Sequence, residues 1–309
     1  MNSIYKLETA EELLKRNIKK PVFVIDKILP AGVTILSSRP KVGKSFLALQ
    51  LSQYISKGES IFEKYKSHPQ NCLFLSYEDS DARLQDRLSK MNYAPNLDSD
   101  SHKLFIKTNF SGLDSYGLVE LQLIVKEYKI GFIVVDTLAK AVHFKETKGN
   151  AYFDEYRKMG VLQKFASENN VSMLFVHHNR KQESMYSVDS VLGTSGISGG
   201  CDNIWIMNKV NTRVKLDIYG KDIFESHLWL VFDNDNEHWG LIGEAPAATL
   251  TPERQEIYDL LKSADNPVRT GEIAAAVCKK TNNVSTLLKG MVNEGVVANP
   301  KTGYYTVAE

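Results

Sequence analysis

The stretch that most constrains the fold is residues 38–45, Ser-Arg-Pro-Lys-Val-Gly-Lys-Ser. The apolar run at 33–36 predicts a buried strand before it, and the periodic apolar residues of 46–55 predict a helix after it. A strand, a tight loop ending in Gly-Lys-Ser and a helix make a phosphate-binding loop, because the loop N–H groups and the helix N-terminus attract an anion. The sequence therefore predicts a nucleoside triphosphate site in an α/β fold.

Two side chains of this loop have distinct expected roles. Lys44 is expected to reach the terminal phosphates, and the Ser45 hydroxyl to ligate Mg²⁺. Ser38 stands where glycine is usual, which leaves open whether the turn needs a positive φ or only a small side chain. The residues predicted to hold the nucleotide are Arg39, Pro40, Lys41, Val42, Gly43, Lys44, Ser45 and Phe46.

Acidic residues follow two further predicted strands. Glu78 lies just beyond the strand predicted at 71–76, where a carboxylate can activate the water that attacks a γ-phosphate. It could instead cap the helix that follows, although Asp79 or Ser80 can do so without it. Asp136 ends the strand predicted at 132–135 and is expected in the Mg²⁺ shell, with a turn cap as the alternative.

A third polar strand end follows residues 171–176. We expect His178 to sense the γ-phosphate or to couple it to DNA, with His177 less favoured and a core histidine as the alternative. The glycine-rich residues 193–200 could approach a phosphate of the nucleotide or of single-stranded DNA, or could form a loop.

The core is predicted to end in antiparallel strands at 203–208, 214–219, 227–232 and 239–242. These strands carry Arg213, Lys215 and Lys221. In a ring of subunits, such a basic residue could reach the γ-phosphate bound by a neighbour. A solvated strand edge is the alternative for each of them.

Composition limits the functional classes. The formal net charge is +1, so nucleic-acid contacts would have to come from local patches. The three cysteines match no metal-binding spacing and are expected to be buried thiols in a reducing cytosol. No apolar stretch approaches about twenty residues, so we expect a soluble, cytoplasmic protein without membrane contact. An amphipathic helix at 7–18 could pack on its own core, which we favour, or on a neighbouring subunit.

The chain is expected to comprise an N-terminal helix and lead-in (1–30), a core (31–243), a linker (244–250) and a C-terminal domain (251–309). Three helices and two short strands in the last part predict a winged helix-turn-helix. Its recognition helix would carry Lys279, Lys280, Asn282, Asn283, Ser285, Thr286 and Lys289. Because residues 251–309 hold seven basic and seven acidic side chains, docking to a protein is an alternative to DNA binding.

Five motifs, taken in order, resemble those of RepA-type ATPases, RecA-like proteins related to the DnaB-type hexameric replicative helicases of plasmids, phages and mobile elements. The resemblance covers roughly residues 8–243. The motifs are the phosphate loop, Leu-Ser-Tyr-Glu-Asp-Ser, Ile-Val-Val-Asp-Thr-Leu, Val-His-His-Asn-Arg-Lys and Leu-Gly-Thr-Ser-Gly-Ile-Ser-Gly-Gly-Cys-Asp. The likeness implies a RecA-like core and a homohexameric ring that binds ATP between subunits and moves on single-stranded DNA.

The resemblance also implies roles for single residues. Lys44 and Ser45 would hold phosphate and Mg²⁺, and the catalytic base, the Mg²⁺-shell acid and the strand-end sensor would be Glu78, Asp136 and His178. The family commonly has arginine where this chain has Lys221, so the cation acting on a neighbour's ATP would be Lys221 or Arg213.

The function predicted from the sequence is that of a replicative DNA helicase of a mobile element. Its candidate partners include a primase or an initiator. The alternative is a nucleotide-dependent regulator or helicase loader that does not unwind DNA and whose winged helix binds an origin or a partner protein.

Overall fold

The computed structural model describes residues 8–17, 23–94, 101–142, 151–178, 196–210, 212–244, 252–264, 266–293 and 296–307. The chain has two compact units, Met1–Gly243 and Glu244–Glu309. Among the described helices, none combines the length and the hydropathy that crossing a membrane requires.

In the described part of the larger unit, nine strands form one sheet. Their spatial order is β11 (His238–Glu244), β10 (Ser226–Asp233), β9 (Arg213–Gly220), β8 (Asn203–Val210), β3 (Val33–Ser38), β7 (Ser172–His178), β6 (Ile130–Asp136), β4 (Asn71–Ser76) and β5 (Leu104–Lys107). The strands from β8 to β5 are parallel, whereas β9 pairs antiparallel with β8 and β10. A separate antiparallel pair joins β1 (Phe23–Ile25) to β2 (Leu29–Pro30).

Apolar cores cover both faces of this sheet. The described helices of the unit are α1 (Ala10–Lys15), α2 (Lys44–Lys57), α3 (Asp81–Lys90), α4 (Ser115–Tyr128), α5 (Leu138–Ala141), α6 (Ala151–Asn169) and α7 (Gly196–Gly199). Leu36 of β3 belongs to the core that contains α2 and α3, while Val33 and Ile35 belong to the core that contains α4 and α6. Strands buried on both faces read as continuous apolar runs, and the predicted α/β fold is confirmed.

The strand order brings the polar strand ends together. Ser38 of β3 is in register with His178 of β7, and Ser76 of β4 is in register with Asp136 of β6. Because β3, β7, β6 and β4 are parallel neighbours, their carboxyl ends share one edge of the sheet. Ligand sites of open α/β sheets lie at such an edge.

Two expectations about side-chain burial were wrong. In the described residues 8–17, the N-terminal helix does not pack on its own core, because no residue of α1 is buried and Leu14 is 85% exposed. The free cysteine Cys278 is exposed, although Cys72 and Cys201 are buried as expected.

The smaller unit has its own apolar core, which includes Ile257, Ile273 and Leu288. Its elements are α8 (Pro252–Lys262), β12 (Val268–Arg269), α9 (Thr270–Ala276), α10 (Thr281–Asn293), β13 (Val297–Lys301) and β14 (Tyr304–Val307). The three strands form a sheet in the order β12-β14-β13. The assignment of a winged helix-turn-helix to this unit stays a prediction.

Candidate nucleotide-binding site

The phosphate loop connects the carboxyl end of β3 to the first turn of α2. Lys41 and Gly43 have φ angles of 65° and 99°, in the left-handed region. Gly43 is the N-cap of α2 and makes no side-chain capping hydrogen bond. The first N–H groups of a helix have no partner within the helix, so this end of α2 can bind an anion.

Ser38 is the last residue of β3 and is buried. It does not adopt a positive φ, so this position requires a small side chain and not the conformational freedom of glycine. Its hydroxyl donates to the Arg39 carbonyl at 2.7 Å and accepts from the Lys44 ammonium at 2.9 Å. The serine is therefore a hydrogen-bonding member of the loop.

Lys44 is buried, and its ammonium is bound by the loop itself. Besides the Ser38 hydroxyl, Nζ donates to the carbonyls of Ser38 at 3.2 Å and Arg39 at 3.1 Å. Burial lowers the pKa of Lys44 to about 8, although the charges of Asp136 and Glu78 act in the opposite direction. The lysine must exchange some of these contacts to bind a phosphate.

Asp136 ends β6 as a fully buried acid. Neither of its carboxylate oxygens has a hydrogen-bond partner among the described residues. Burial raises the pKa of Asp136 to about 6. The Ser45 hydroxyl lies near enough to act in the opposite direction, but it makes no hydrogen bond of good geometry to the carboxylate. An unpaired buried carboxylate is costly unless something compensates its charge.

These two residues fit the metal expected from the sequence. A carboxylate and a hydroxyl are oxygen ligands of the kind that Mg²⁺ prefers. In the described part of the chain, no three His, Cys, Asp or Glu side chains are grouped to hold a metal ion. Mg²⁺ would therefore take most of its ligands from phosphate and water, as it usually does at nucleotide sites.

Glu78 lies just past the carboxyl end of β4. Its carboxylate accepts from the Thr137 hydroxyl at 3.3 Å. The Lys140 ammonium and His178 Nε2 each lie 3.8 Å from one of its oxygens. Glu78 does not cap α3, because Ser80 does so by accepting from the Arg83 N–H.

The neighbouring acid, Asp79, is already engaged. It is buried, and its carboxylate accepts from Arg83 at 2.9 Å and also from Arg87. Arg87 in turn lies 4.4 Å from the centroid of the Phe46 ring. Phe46 was predicted to contact the nucleotide, but its ring packs between Arg87 and Phe232, and its backbone remains the part that could contribute.

The sequence predicted that His177 and His178 follow the strand. In the structure both histidines are the last residues of β7 itself. Burial lowers the pKa of His178, and the Lys44 charge adds to this effect, while Glu78 opposes it. Nδ1 of His178 is buried without a hydrogen-bond partner in the described residues. The predicted residues Lys44, Ser45, Glu78, Asp136 and His178 thus come together at one edge of the sheet.

Arg213 and Lys221 lie outside this group. Arg213 pairs with Val210 and Gly220 pairs with Asn203, so β9 runs from the carboxyl edge of β8 back to its amino edge, a length of about 25 Å. Arg213 is exposed on the side of the phosphate loop. Lys221 lies at the opposite edge, where its ammonium donates to Asp202 at 3.0 Å.

Lys215 is a core residue, and the alternative of a solvated strand edge was wrong for it. It is 2% exposed and pairs with Asp217 at 3.0 Å.

The described part of the glycine-rich segment packs against a helix. The Gly196 N–H of α7 donates to Glu155 at 3.0 Å, and a Cβ on Gly196 would lie 2.0 Å from the Tyr152 carbonyl. These glycines permit α7 to approach α6 closely. Residues 193–195, together with the polar segments 143–150 and 179–190, lie outside the described residues.

Trp239 is a contact of the phosphate loop that sequence reasoning missed. Its Nε1 donates to the Gly43 carbonyl at 3.1 Å, and a Cβ on Gly43 would lie 2.6 Å from the indole. Trp239 belongs to β11 and is 196 residues from Gly43 in sequence. No local pattern links the two residues, and the only signal in the sequence is that position 239 is a tryptophan. The hydrogen bond from Arg87 to Asp79 was also not predicted from the sequence.

Comparisons with known proteins agree with this arrangement. A family model described as an AAA domain matches residues 4–184. Among solved structures, the ATPase domain of G40P is similar with a TM-score of 0.53 and 13% sequence identity, covering 68% of this chain and 84% of that one. At this identity the likeness shows the fold. No curated protein matches the sequence.

Proposed function

The chain belongs to the AAA domain family, and from this premise we propose that it is an ATP-hydrolysing DNA motor, a homohexameric replicative helicase of a mobile element that moves on single-stranded DNA. The observation that carries the ATPase part is the unpaired buried carboxylate of Asp136 beside Ser45 and Lys44. The fold shared with the ATPase domain of G40P also supports the ATPase part, and the ordered motifs of the sequence support the DNA part.

The chemistry would divide among the residues at the sheet edge. Lys44 would exchange its contacts in the loop for phosphate oxygens, as the N-terminus of α2 binds the same anion. Ser45 and Asp136 would hold Mg²⁺, which in phosphoryl transfer neutralises charge on phosphate oxygens. Glu78 would take a proton from the attacking water.

His178 is suited to report on the γ-phosphate. It lies beside Ser38 of the phosphate loop in register, and its Nε2 faces Glu78 at 3.8 Å. A change in the charge near Lys44 would therefore act on His178 and Glu78 together. The segment that follows β7 would carry this change towards DNA.

The cation that acts on a neighbour's nucleotide is proposed to be Arg213. It is exposed on the phosphate-loop side, and no ion pair involves it among the described residues, whereas Lys221 is engaged by Asp202. Arg213→Ala should keep nucleotide binding and lose turnover. When Arg213→Ala chains are mixed with Lys44→Ala chains, activity should return at interfaces that combine an intact phosphate loop with an intact Arg213. Mixtures of Lys221→Ala and Lys44→Ala chains test Lys221 in the same way.

The experiment that tests the function is the ATPase rate with and without single-stranded DNA, followed by unwinding of a forked duplex. The wild-type chain should hydrolyse ATP faster with DNA and unwind the fork, and Lys44→Ala should do neither. A protein that hydrolyses ATP, ignores single-stranded DNA and never unwinds would exclude the helicase proposal.

One observation favours the second candidate, a regulator or loader that does not unwind DNA. Lys279, expected to face DNA, is bound to Glu253 at 2.6 Å within the smaller unit. This pairing leaves less free positive charge for a phosphate backbone. In that case, Lys280→Glu and Lys289→Glu would leave duplex binding unchanged and would instead disrupt docking to a protein.

A further inference from the structure

The Gly43–Lys44 peptide is held by two donors on its carbonyl side. The Leu47 N–H donates to the Gly43 carbonyl at 3.2 Å as the first hydrogen bond of α2. The Trp239 indole N–H donates to the same oxygen at 3.1 Å. A carbonyl oxygen has two lone pairs, and here both have a donor.

A planar trans peptide points its C=O and its N–H in opposite directions. When the Gly43 carbonyl is fixed towards Trp239 and Leu47, the Lys44 N–H is fixed on the other side of the same plane. That side faces the anion position at the N-terminus of α2. Glycine at φ 99° could otherwise rotate this peptide at little cost, because it has no Cβ to restrict it.

The backbone of Trp239 is itself held to α2. The backbone N–H of Trp239 donates to Gln50 Oε1 at 2.8 Å, and Gln50 Nε2 donates to the Trp239 carbonyl at 2.9 Å. The ring also packs on Phe232, with centroids 5.0 Å apart. Trp239 is 4% exposed, so little water competes with the Gly43 carbonyl for its indole N–H.

We propose that Trp239 is a positioning residue of the phosphate loop, which keeps the Gly43–Lys44 peptide oriented with its N–H towards the bound phosphate. The inference rests on the proposed nucleotide binding. In this proposal, a residue of β11 at the edge of the sheet holds the phosphate loop that connects β3 to α2. Because the peptide N–H binds substrate and transition state alike, Trp239 should act on nucleotide affinity and not on the chemical step.

The test compares Trp239→Phe, which keeps an aromatic ring but loses the N–H donor, with Trp229→Phe on the adjacent strand β10. For Trp239→Phe we expect ADP and a non-hydrolysable ATP analogue to bind about five- to tenfold more weakly, with kcat within about twofold of wild type. Trp229→Phe should bind like the wild type. Equal affinities for the two variants, or a loss confined to kcat, would overturn the proposal.

Fluorescence supplies a spectroscopic measurement that a purely structural role would not change. Nucleotide should alter the tryptophan emission of the wild type and of Trp229→Phe, and this response should disappear in Trp239→Phe. If Trp239→Phe does not fold, hydrogen exchange in the wild type decides, since the nucleotide should slow exchange of the Trp239 indole N–H and leave that of Trp229 unchanged. Unchanged exchange at Trp239 overturns the inference alone, whereas a wild-type chain that binds no nucleotide overturns the proposed function as well.

Discussion

Asp136 and Asp217 are buried acids on strands of one sheet, and their surroundings differ completely. Asp217 of β9 has three partners, Lys215 at 3.0 Å, His227 at 2.6 Å and Asn208 at 3.4 Å. Asp136 of β6 has no hydrogen-bond partner among the described residues. The antiparallel half of the sheet therefore compensates its buried charge internally, while the parallel half leaves one for a ligand.

This difference distinguishes a buried acid that stabilises the fold from a buried acid that is suited to bind a ligand. A buried charge with its partners in place belongs to the core, because removing any one of them leaves the others uncompensated. A buried charge without partners lowers stability until a cation or a proton compensates it. Substitutions of single residues test this contrast, beginning with Glu78, the acid beside Asp136.

The largest effect is expected for Glu78→Gln. The glutamine retains the shape of the side chain but cannot accept a proton, so ATP turnover should fall by about a hundredfold or more, with ATP binding retained. Single-turnover hydrolysis and equilibrium nucleotide binding measure the two quantities. Glu127→Gln, an exposed glutamate on α4, is the matched control. Unchanged turnover in Glu78→Gln would assign the base elsewhere, although Asp79 is already bound by two arginines.

Asp217→Asn should give the next largest effect. It deprives the buried Lys215 ammonium of its carboxylate and should lower the free energy of unfolding by about 3 kcal/mol. Denaturant unfolding at pH 7 measures the loss, and Asp222→Asn at the exposed turn after β9 is the control. Activity per folded molecule should remain near that of the wild type. If stably folded Asp217→Asn lost turnover, Asp217 would be needed for activity and not only for stability.

Asp136→Asn should change stability in the opposite direction. Its folded pKa of about 6 lies above the ordinary aspartate value of 3.8, so between these pH values the native state binds more protons than the unfolded state. Wild-type stability should therefore fall as the pH rises from about 4 to about 6. Without nucleotide and divalent cation at pH 7, the variant should be more stable by about 1 to 3 kcal/mol.

The control for Asp136→Asn is the response to ligand. Saturating ATP with Mg²⁺ should stabilise the wild type by about 2.7 kcal/mol at a hundredfold excess over Kd, and the variant much less. Unfolding measured across pH, in chelator and in ligand, gives both results. A variant that is less stable than wild type in chelator would show that Asp136 is compensated by the protein after all.

The smallest effect is expected for Ser38→Ala. The substitution removes one of three contacts of the Lys44 ammonium and should lower the stability of the nucleotide-free protein by about 1 kcal/mol. ATP affinity should not weaken, because Lys44 gives up fewer contacts on binding phosphate. Calorimetric titration measures this affinity. Markedly weaker binding would indicate that the Ser38 hydroxyl contacts the nucleotide itself.

Much of the fold was predictable because its signals are local. The apolar run before Ser38, the periodic residues after it and the acids after β4 and β6 indicate strand, loop and helix without knowledge of the strand order. Their meeting at one edge also follows, since parallel strands present their carboxyl ends together. The burial of Lys215 was not foreseen, because the neighbouring strands that enclose it, β8 and β10, pair with β9 only in the folded sheet.

The sequence by itself determined the phosphate loop and the residues expected to hold phosphate and Mg²⁺ there, because these depend on residue type and short spacing. The tertiary structure decided which charges are compensated and which are not. It placed Arg213 and Lys221 at opposite edges, since an antiparallel strand carries its two ends apart. It also brought Trp239 onto Gly43 across 196 residues, a contact that depends on the path of the whole sheet and not on any local pattern.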